Sequence, residues 1–298
     1  MSYRHLRADD WFILDTLTLS DGSRAPGGER HIFRIHSVDF SAAYGVTSRL
    51  SLRLTIPTAT GTNSRIHPDG VRRETKGSGI GDVNLVGTLW LLDPLAHGSG
   101  NAAISFGVKA PTGSNTITDD LGLPSGTVVQ HEVHPGIQMG DGGWGVLVGA
   151  QGFLRLADGL SAYALLAYQI SPQDTTEVKF TPEFTSGMSV PDVYHAKVGI
   201  AYAVLPERGL AASLGFRTDG IPTNDLVGDS DGFRSAARIV SLDPGLSWTF
   251  GRNDLTMSLP IRVHGEFKRG VPLPPPNFQS DQGDLAQMVL FVAFNRRL

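Results

Sequence analysis

Apolar side chains alternate with polar or small ones along most of the chain from residue 31 to residue 298. In the segment that begins at Trp144, the even positions are apolar or small, whereas the odd positions include Gln151 and Arg155. A period of two is the period of a β-strand. The alternation, bounded by Gly, Pro, Asn and Asp, predicts twelve strands. They cover residues 8–19, 31–44, 49–59, 81–92, 101–111, 144–156, 160–171, 192–204, 209–220, 235–250, 254–267 and 284–296.

The connections between these strands alternate strictly between short and long. The long ones cover residues 20–30, 60–80, 112–143, 172–191, 221–234 and 268–283. Outer-membrane barrels have short periplasmic turns and long extracellular loops. The segment His131–Met139 could be a further strand, but a thirteenth strand would break the alternation of connections. The pattern therefore predicts an all-β chain, a closed antiparallel up-and-down transmembrane β-barrel of about 12 strands, as one domain over residues 1–298.

The two faces of the predicted strands differ in a way that favours a membrane. Lipid offers no hydrogen bonds, so a sheet in a bilayer must close on itself and expose only apolar side chains to hydrocarbon. Six strands carry one face without charge, with many small residues, and confine charge to the other face. A soluble β-sandwich would have a charged outer face. The 31–44 strand fits less well, because Arg34 and His36 share a face with Val38 and Phe40, and we expect them near the rim.

Composition narrows the class further. The chain has 298 residues and no cysteine, and no apolar run approaches the roughly 20 residues of a membrane helix. A net charge of −4 gives no basic footprint for nucleic acid. No apolar signal segment follows Met1, so we expect a signal peptide to be absent or removed. The expected location is the bacterial outer membrane, with outer-membrane lipid around the barrel.

Several short phrases, taken in order, resemble a Gram-negative outer-membrane transporter family known as the meta-pathway phenol-degradation proteins. The phrases lie at residues 44–49, 56–57, 79–83, 108–113, 140–145 and 244–248, and the resemblance runs from about residue 31 to the C-terminus. This resemblance implies an outer-membrane barrel that takes up small, often aromatic or hydrophobic, compounds. It implies a class of solute and not a particular ligand.

Strand parity predicts which ionisable side chains face the lumen. The candidates for lining the lumen or a constriction are Arg53, Lys109, Arg155, Lys197, Arg217, Asp219, Asp243, Arg262, His264 and Glu266, together with Asp39, Asp82 and His195. Such a set could screen solutes by size and charge, as rings of side chains do in channels. It could equally be a self-neutralising network that fills a narrow barrel. We expect Arg217, Asp219, Arg262 and Glu266 at any constriction.

Other candidate chemistry is weak. His131 and His134 lack a third ligand at a known zinc spacing, so no metal or other cofactor is expected. Ser258 and His264 share one predicted face, but six residues separate them, which is about 20 Å along a strand and too far for a catalytic dyad. The loop over residues 112–143 contains Gly136, Gly140, Gly142 and Gly143, which would let it bend into the barrel mouth.

These patterns favour a passive channel or facilitator for a small-molecule solute, without catalysis. Two alternatives stay open. One is a plugged structural barrel whose long extracellular loops bind a partner protein. The other, less favoured, is a membrane-embedded hydrolase.

Overall fold

The computed structural model describes residues 1–19, 31–67, 69–123, 125–176, 187–269 and 282–298. In the described part of the chain, fifteen strand segments form one sheet, which closes because its last strand pairs antiparallel with its first. The strands are β1 Ser2–Ile13, β2 Thr16–Leu19, β3 His31–Gly45, β4 Leu50–Ile66, β5 Arg72–Ile80, β6 Asn84–Trp90, β7 Gly100–Lys109, β8 Thr118–Gly122, β9 Val128–Glu132, β10 Gly145–Ala157, β11 Leu160–Ile170, β12 Val193–Leu205, β13 Leu210–Ile221, β14 Ala237–Phe250, β15 Asn253–Ser258, β16 Ile261–Phe267 and β17 Gln282–Arg296.

The sheet is a closed antiparallel barrel of twelve strands, as the alternation of connections predicts. Two of the twelve are each built from two segments: β5 continues into β6, and β15 continues into β16 across Pro260. The strands β8 and β9 pair only with each other, as a hairpin inside the long connection over residues 112–143. The segment around His131 is therefore partly a strand, but it adds no strand to the barrel.

The outer face of the barrel is an apolar belt. Phe106, Val198 and Phe216 point outward and are 64%, 58% and 59% exposed. Their inward neighbours, such as Lys109 and Gly215, are buried or polar. None of the helical turns among the described residues is long and apolar enough to cross a bilayer. The belt satisfies the requirement that a closed sheet shows hydrocarbon only apolar side chains.

The first predicted strand, over residues 8–19, is wrong in its boundaries. The chain enters the barrel at Ser2 and runs to Ile13, then reverses so that Thr16–Leu19 pairs back on β1. Leu14 adopts a left-handed conformation, with φ of 53°, at this reversal. The interval from Ile13 to Thr16 is a tight two-residue hairpin turn, which favours positive φ. The alternation across residues 8–19 therefore includes a turn that no Gly or Asn in the sequence indicates.

The predicted long loop over residues 60–80 is mostly strand. β4 and β5 pair from Thr58 with Ile80 up to Ile66 with Arg72, so this hairpin projects beyond the apolar belt at the long-loop end. The predicted loops over residues 20–30, and the parts of the others at 177–186 and 270–281, lie outside the described residues.

At the long-loop end of β1, β3 and β4 the two faces exchange character. Arg34 and His36 point outward, opposite Thr62 and Thr60 of β4, while Phe33 and Ile35 point into the barrel. This half of the wall stands above the apolar belt, so its outer face meets polar surroundings and its inner face can be apolar. The poor fit of Arg34 and His36 to the sequence pattern has this cause.

Candidate functional site

A cavity of about 570 Å³ lies inside the long-loop end of the barrel, and we call it the mouth cavity. Its wall residues come from β1, β3, β13, β16 and β17. Leu6, Phe33, Ile35, Ile221 and Phe267 make most of this wall apolar, and His31, Gln282 and Asp284 are its polar members. Three connections that fold inward supply the rest through residues 134–136, 188–191 and 233–235. Small-molecule sites are concave, mostly apolar and about 300–1,000 Å³ in volume. The mouth cavity has the size and lining of such a site.

The long connection over residues 112–143, the inward loop, enters the barrel and packs on its inner wall. Ile137 is 1% exposed and lies against Gly61 and Gly77, which pair with each other across β4 and β5. A Cβ atom at Gly61 would lie 2.8 Å from Cγ2 of Ile137, and one at Gly77 would clash with the Ile137 carbonyl oxygen. The loop is therefore seated in a space that only glycine leaves free.

A buried ion cluster, the latch, ties the inward loop to the wall. Lys109 Nζ lies 2.8 Å from Oδ2 of Asp82 and 2.5 and 2.7 Å from the two carboxylate oxygens of Asp141. The backbone N–H of Gly113 donates to Asp82 and that of Gly143 donates to Asp141, each at 2.9 Å. Removing one partner of a buried ion pair typically costs about 3–5 kcal/mol. The latch thus fixes the inward loop at both of its ends.

The other two inward segments are held to each other and to the inward loop. Arg234 is 3% exposed; it donates to Asp225 at 2.8 Å and to Ser189 Oγ at 2.7 Å. Asp192 is fully buried and accepts hydrogen bonds from the backbone N–H groups of Ser171 and Leu226, at 2.7 and 2.9 Å. The fully buried Val190 packs against Gly143 of the inward loop. The described parts of these loops form one interlocked cap.

His134 belongs to the wall of the mouth cavity rather than to a metal site. Its ring lies 5.0 Å from the ring of His31 and 4.9 Å from that of Phe33, and its Nδ1 accepts a hydrogen bond from Gly136 N–H at 3.0 Å. Burial, with His31 and Arg65 nearby, holds the pKa of His134 well below its usual value. Within the described residues, no group of three His, Asp or Glu side chains could hold a metal ion.

Two predicted lumen pairs lie on β12, β13 and β14. Lys197 Nζ is 2.8 Å from Asp243 Oδ2, and Asp243 is fully buried and also accepts a 2.8 Å hydrogen bond from Ser258 Oγ. Arg217 donates two hydrogen bonds to Asp219, at 2.7 and 2.8 Å. In both pairs the cation contacts a carboxylate directly, so the charge offered to a passing solute is small.

Two further side chains contact the ion pair between Arg217 and Asp219. His195 Nδ1 lies 2.9 Å from Asp219 Oδ1. The Arg217 guanidinium lies 4.6 Å from the centre of the Phe291 ring, an inward residue of β17. The strand pairs bring these four side chains together from distant parts of the chain.

Arg262 also faces inward, but it is fully engaged. It forms an ion pair with Asp10, donates to Ala286 O and to Gln287 Oε1, each at 2.9 Å, and lies 4.6 Å above the Phe12 ring. It therefore acts as a wall brace between β1, β16 and β17.

Arg53 and Arg155 occupy the opposite, short-turn half of the barrel. Arg53 pairs across the sheet with Val86, and Arg155 lies 3.9 Å from Asp158 in the turn that follows β10. Both side chains are solvated.

The expected inward orientation of His264 and Glu266 is wrong. A β-bulge shifts the register between β14 and β16, so that Arg262 pairs with Ser241 while His264 pairs with Val240. Directly opposed residues share a face. Ser241 is buried inside and Val240 lies on the other face, so His264 points outward; Glu266 follows it and is paired with Arg238. A bulge inserts one residue and reverses the alternation beyond it.

This bulge also separates Ser258 from His264. Ser258 points inward to Asp243, whereas His264 lies on the outer face. The two side chains therefore do not meet.

Strand parity alone does not identify the residues that build the mouth cavity and the cap, or the carboxylates that pair with Arg262 and Lys109 from outside the predicted set. Asp10, Asp141, Arg234 and Phe267 come from a strand with shifted boundaries, from loops and from the segment beyond the bulge. One signal could have found part of it: Phe33 and Ile35 alternate with Arg34 and His36, so a strand with outward charge should carry an apolar inner face.

No family model matches the chain, and no curated protein matches it. Among solved structures, the barrel is similar to an outer membrane channel from Pseudomonas putida F1, at 15% identity and a TM-score of 0.63, over 99% of this chain and 92% of that one. Weaker likenesses are the monoaromatic hydrocarbon channel CymD, 12% identical, with a TM-score of 0.46 over 100% and 88% of the chains, and a Pseudomonas aeruginosa FadL homologue. The homologue is 11% identical, with a TM-score of 0.44 over 98% and 88%. The chain has the fold of a bacterial outer-membrane β-barrel.

Proposed function

We propose that this chain is an outer-membrane channel for the passive uptake of small, neutral, predominantly apolar molecules. The mouth cavity carries the proposal, because it is large enough for such a solute, lies within the barrel and is walled by Phe33, Phe233 and Phe267. Moving apolar surface out of water is worth roughly 25 cal/mol per Å², so such a cavity concentrates apolar solutes at the mouth. The resemblance to the meta-pathway phenol-degradation transporters points to the same class of solute.

The ion pairs of the lumen have a supporting role in this proposal. Lys109, Lys197, Arg217 and Arg262 each contact a carboxylate, so they brace the walls and offer little net charge. Arg53 and Arg155 would meet the solute or its accompanying ions at the short-turn end. We propose no catalytic role for any of them.

Planar-bilayer recording tests the channel. The purified barrel should carry ion current, and 4-bromobenzyl alcohol added on the long-loop side should interrupt that current in a concentration-dependent way, whereas a sugar of similar size should not. Ile35→Trp would fill the mouth cavity and shorten the interruptions. Ile104→Trp makes the same change on the lipid-facing side of β7 and should leave them unchanged. Absence of current and of interruptions would refute the proposal.

One observation favours a second candidate, a plugged barrel that binds a partner protein through its extracellular loops. The inward loop is seated on Gly61 and Gly77 and tied by the latch, so the cap could be permanent. Current in the wild type would exclude this candidate, whereas current that appears only when the latch is weakened would support it.

A further inference from the structure

A second cavity, of about 340 Å³, lies on the inner wall away from the mouth cavity, and we call it the wall groove. Its floor is a row of small inward residues on three adjacent strands, since Gly149 of β10 pairs with Ser105 of β7 and with Ala167 of β11. Larger apolar side chains border this row: Leu147 on one side and Leu165 on the other. The groove exists because the floor residues have almost no side chain.

The wall groove is separate from the mouth cavity. The two share no lining residue, and the mouth cavity lies against β1, β3, β13, β16 and β17, while the groove lies against β6, β7 and β10–β12. Lys109 of the latch pairs with Gly145, four residues from Gly149, which is about 13 Å along the strand. The groove therefore lies beyond the latch, on the way from the mouth to the short-turn end.

The chemistry of the groove suits a neutral molecule with an apolar body. Val86, Leu147 and Leu165 provide apolar surface, and Gln151 and Gln169 provide amide groups that can donate or accept one hydrogen bond. His195 lines the groove and Lys197 lies opposite Leu165 at its border, and each contacts a carboxylate: His195 contacts Asp219 at 2.9 Å and Lys197 contacts Asp243 at 2.8 Å. An anionic solute would find apolar side chains here and no unmatched cation.

The apolar surface continues towards the short-turn end. Trp90 of β6 pairs with Ala103, in the same cross-strand row as Gln151 and Leu165, which line the groove. Its ring packs edge-on against Phe153 at 6.1 Å. A solute that leaves the groove would therefore still contact aromatic surface.

We propose that the wall groove is a second binding site on the solute path, for small neutral molecules with an apolar body and one hydroxyl or carbonyl group. This inference rests on the proposed channel function, and it adds a binding site between the mouth cavity and the periplasmic end. Its occupant is the solute that enters through the mouth, because both cavities open on one lumen.

The test uses quenching of tryptophan fluorescence by 4-bromobenzyl alcohol, with the full chain in lipid nanodiscs. Trp90 reports on the wall groove and Trp11, which lines the mouth cavity, reports on the mouth. Quenching should saturate, and Trp90→Phe should remove one saturable component while Trp11→Phe removes the other. Ala167→Phe should fill the groove and weaken the Trp90 component at least about tenfold, as losing a well-fitted site does.

The matched control is Ala164→Phe, which places the same ring on the lipid-facing side of β11 and should leave the Trp90 component unchanged. Heat-modifiable gel mobility shows whether Ala167→Phe folds. If it does not, Leu147→Gln removes apolar surface from the groove without adding bulk and should also weaken the Trp90 component. 4-Bromobenzoate should quench Trp90 at least about tenfold more weakly than the alcohol, because its charge would lose water without a partner.

Equal quenching of Trp90 in Ala167→Phe and Ala164→Phe, or equal quenching by the alcohol and the benzoate, would overturn the wall groove as a site. Current interruptions in the planar bilayer would then still stand, so the channel would survive. Loss of current with intact Trp90 quenching would refute the channel and leave the groove as a binding site alone.

Discussion

Replacing Asp141 by Asn should loosen the cap of the barrel by a predictable amount. Asp141 accepts two contacts from Lys109, at 2.5 and 2.7 Å, and one from Gly143 N–H at 2.9 Å. Asn keeps the single amide oxygen but loses the charge, so the hydrogen bond to Lys109 becomes that of a neutral acceptor. A hydrogen bond to a charged group is worth about 1.5–3 kcal/mol. Losing one of the two charged contacts should raise the ratio of released to seated inward loop by about 10–150-fold.

Single-channel recording measures this ratio as the time spent in a high-conductance state. Asp158→Asn is the matched control, because Asp158 is fully exposed in a short turn and lies 3.9 Å from Arg155. The control should behave as the wild type. Identical open times in Asp141→Asn and the wild type, or an equal change in Asp158→Asn, would show that the latch does not hold the inward loop.

Three further predictions follow from the seated loop and the lumen. Gly61→Val should force Ile137 from its seat, at the 1–3 kcal/mol typical of overpacking, and should speed hydrogen exchange in residues 133–137 while the barrel stays folded. Lys197→Met leaves the fully buried Asp243 without its cation, at about 3–5 kcal/mol, and should lower the temperature of heat-induced mobility change. Burial depresses the pKa of His134 below 6.5, so the inward loop is held in its seat above that pH and is held less firmly as the pH falls. Acidification should therefore increase conductance, and His134→Gln should abolish this response.

The barrel was predictable from the sequence because its governing patterns are local. Alternation in residues 192–204 requires only that lipid lies on one side, and Val198, Ile200 and Tyr202 are indeed exposed on the outer face. The alternation of connection lengths excludes the segment around His131 from the twelve strands of the barrel. Both patterns follow from the solvent on either side of the sheet and from the way the chain returns at each end.

The site was predictable only in part, because single-residue shifts and loop packing leave little trace in a sequence. Lys109, Lys197, Arg217 and Asp243 point into the lumen as parity predicts, but Asp141 reaches Lys109 from a loop whose path no periodicity specifies. One inserted residue beside Arg262 reverses the facing of the rest of β16, including His264 and Glu266.

The apolar side chains of β3 point outward near the short turns and inward near the long loops. The two halves of this part of the barrel wall therefore bury their apolar side chains in different surroundings. The half near the short turns is apolar outside and is stabilised by lipid, whereas the half around Phe33 and Ile35 is apolar inside, as in a water-soluble barrel. Urea weakens the burial of apolar groups from water but does not remove the bilayer. Denaturant should therefore unfold the half around Phe33 and Ile35 first, while the apolar belt in the membrane stays folded. Ligand-binding elements are commonly the least stable parts of a fold, and here the proposed entry point for solutes is also the part that denaturant in water can reach.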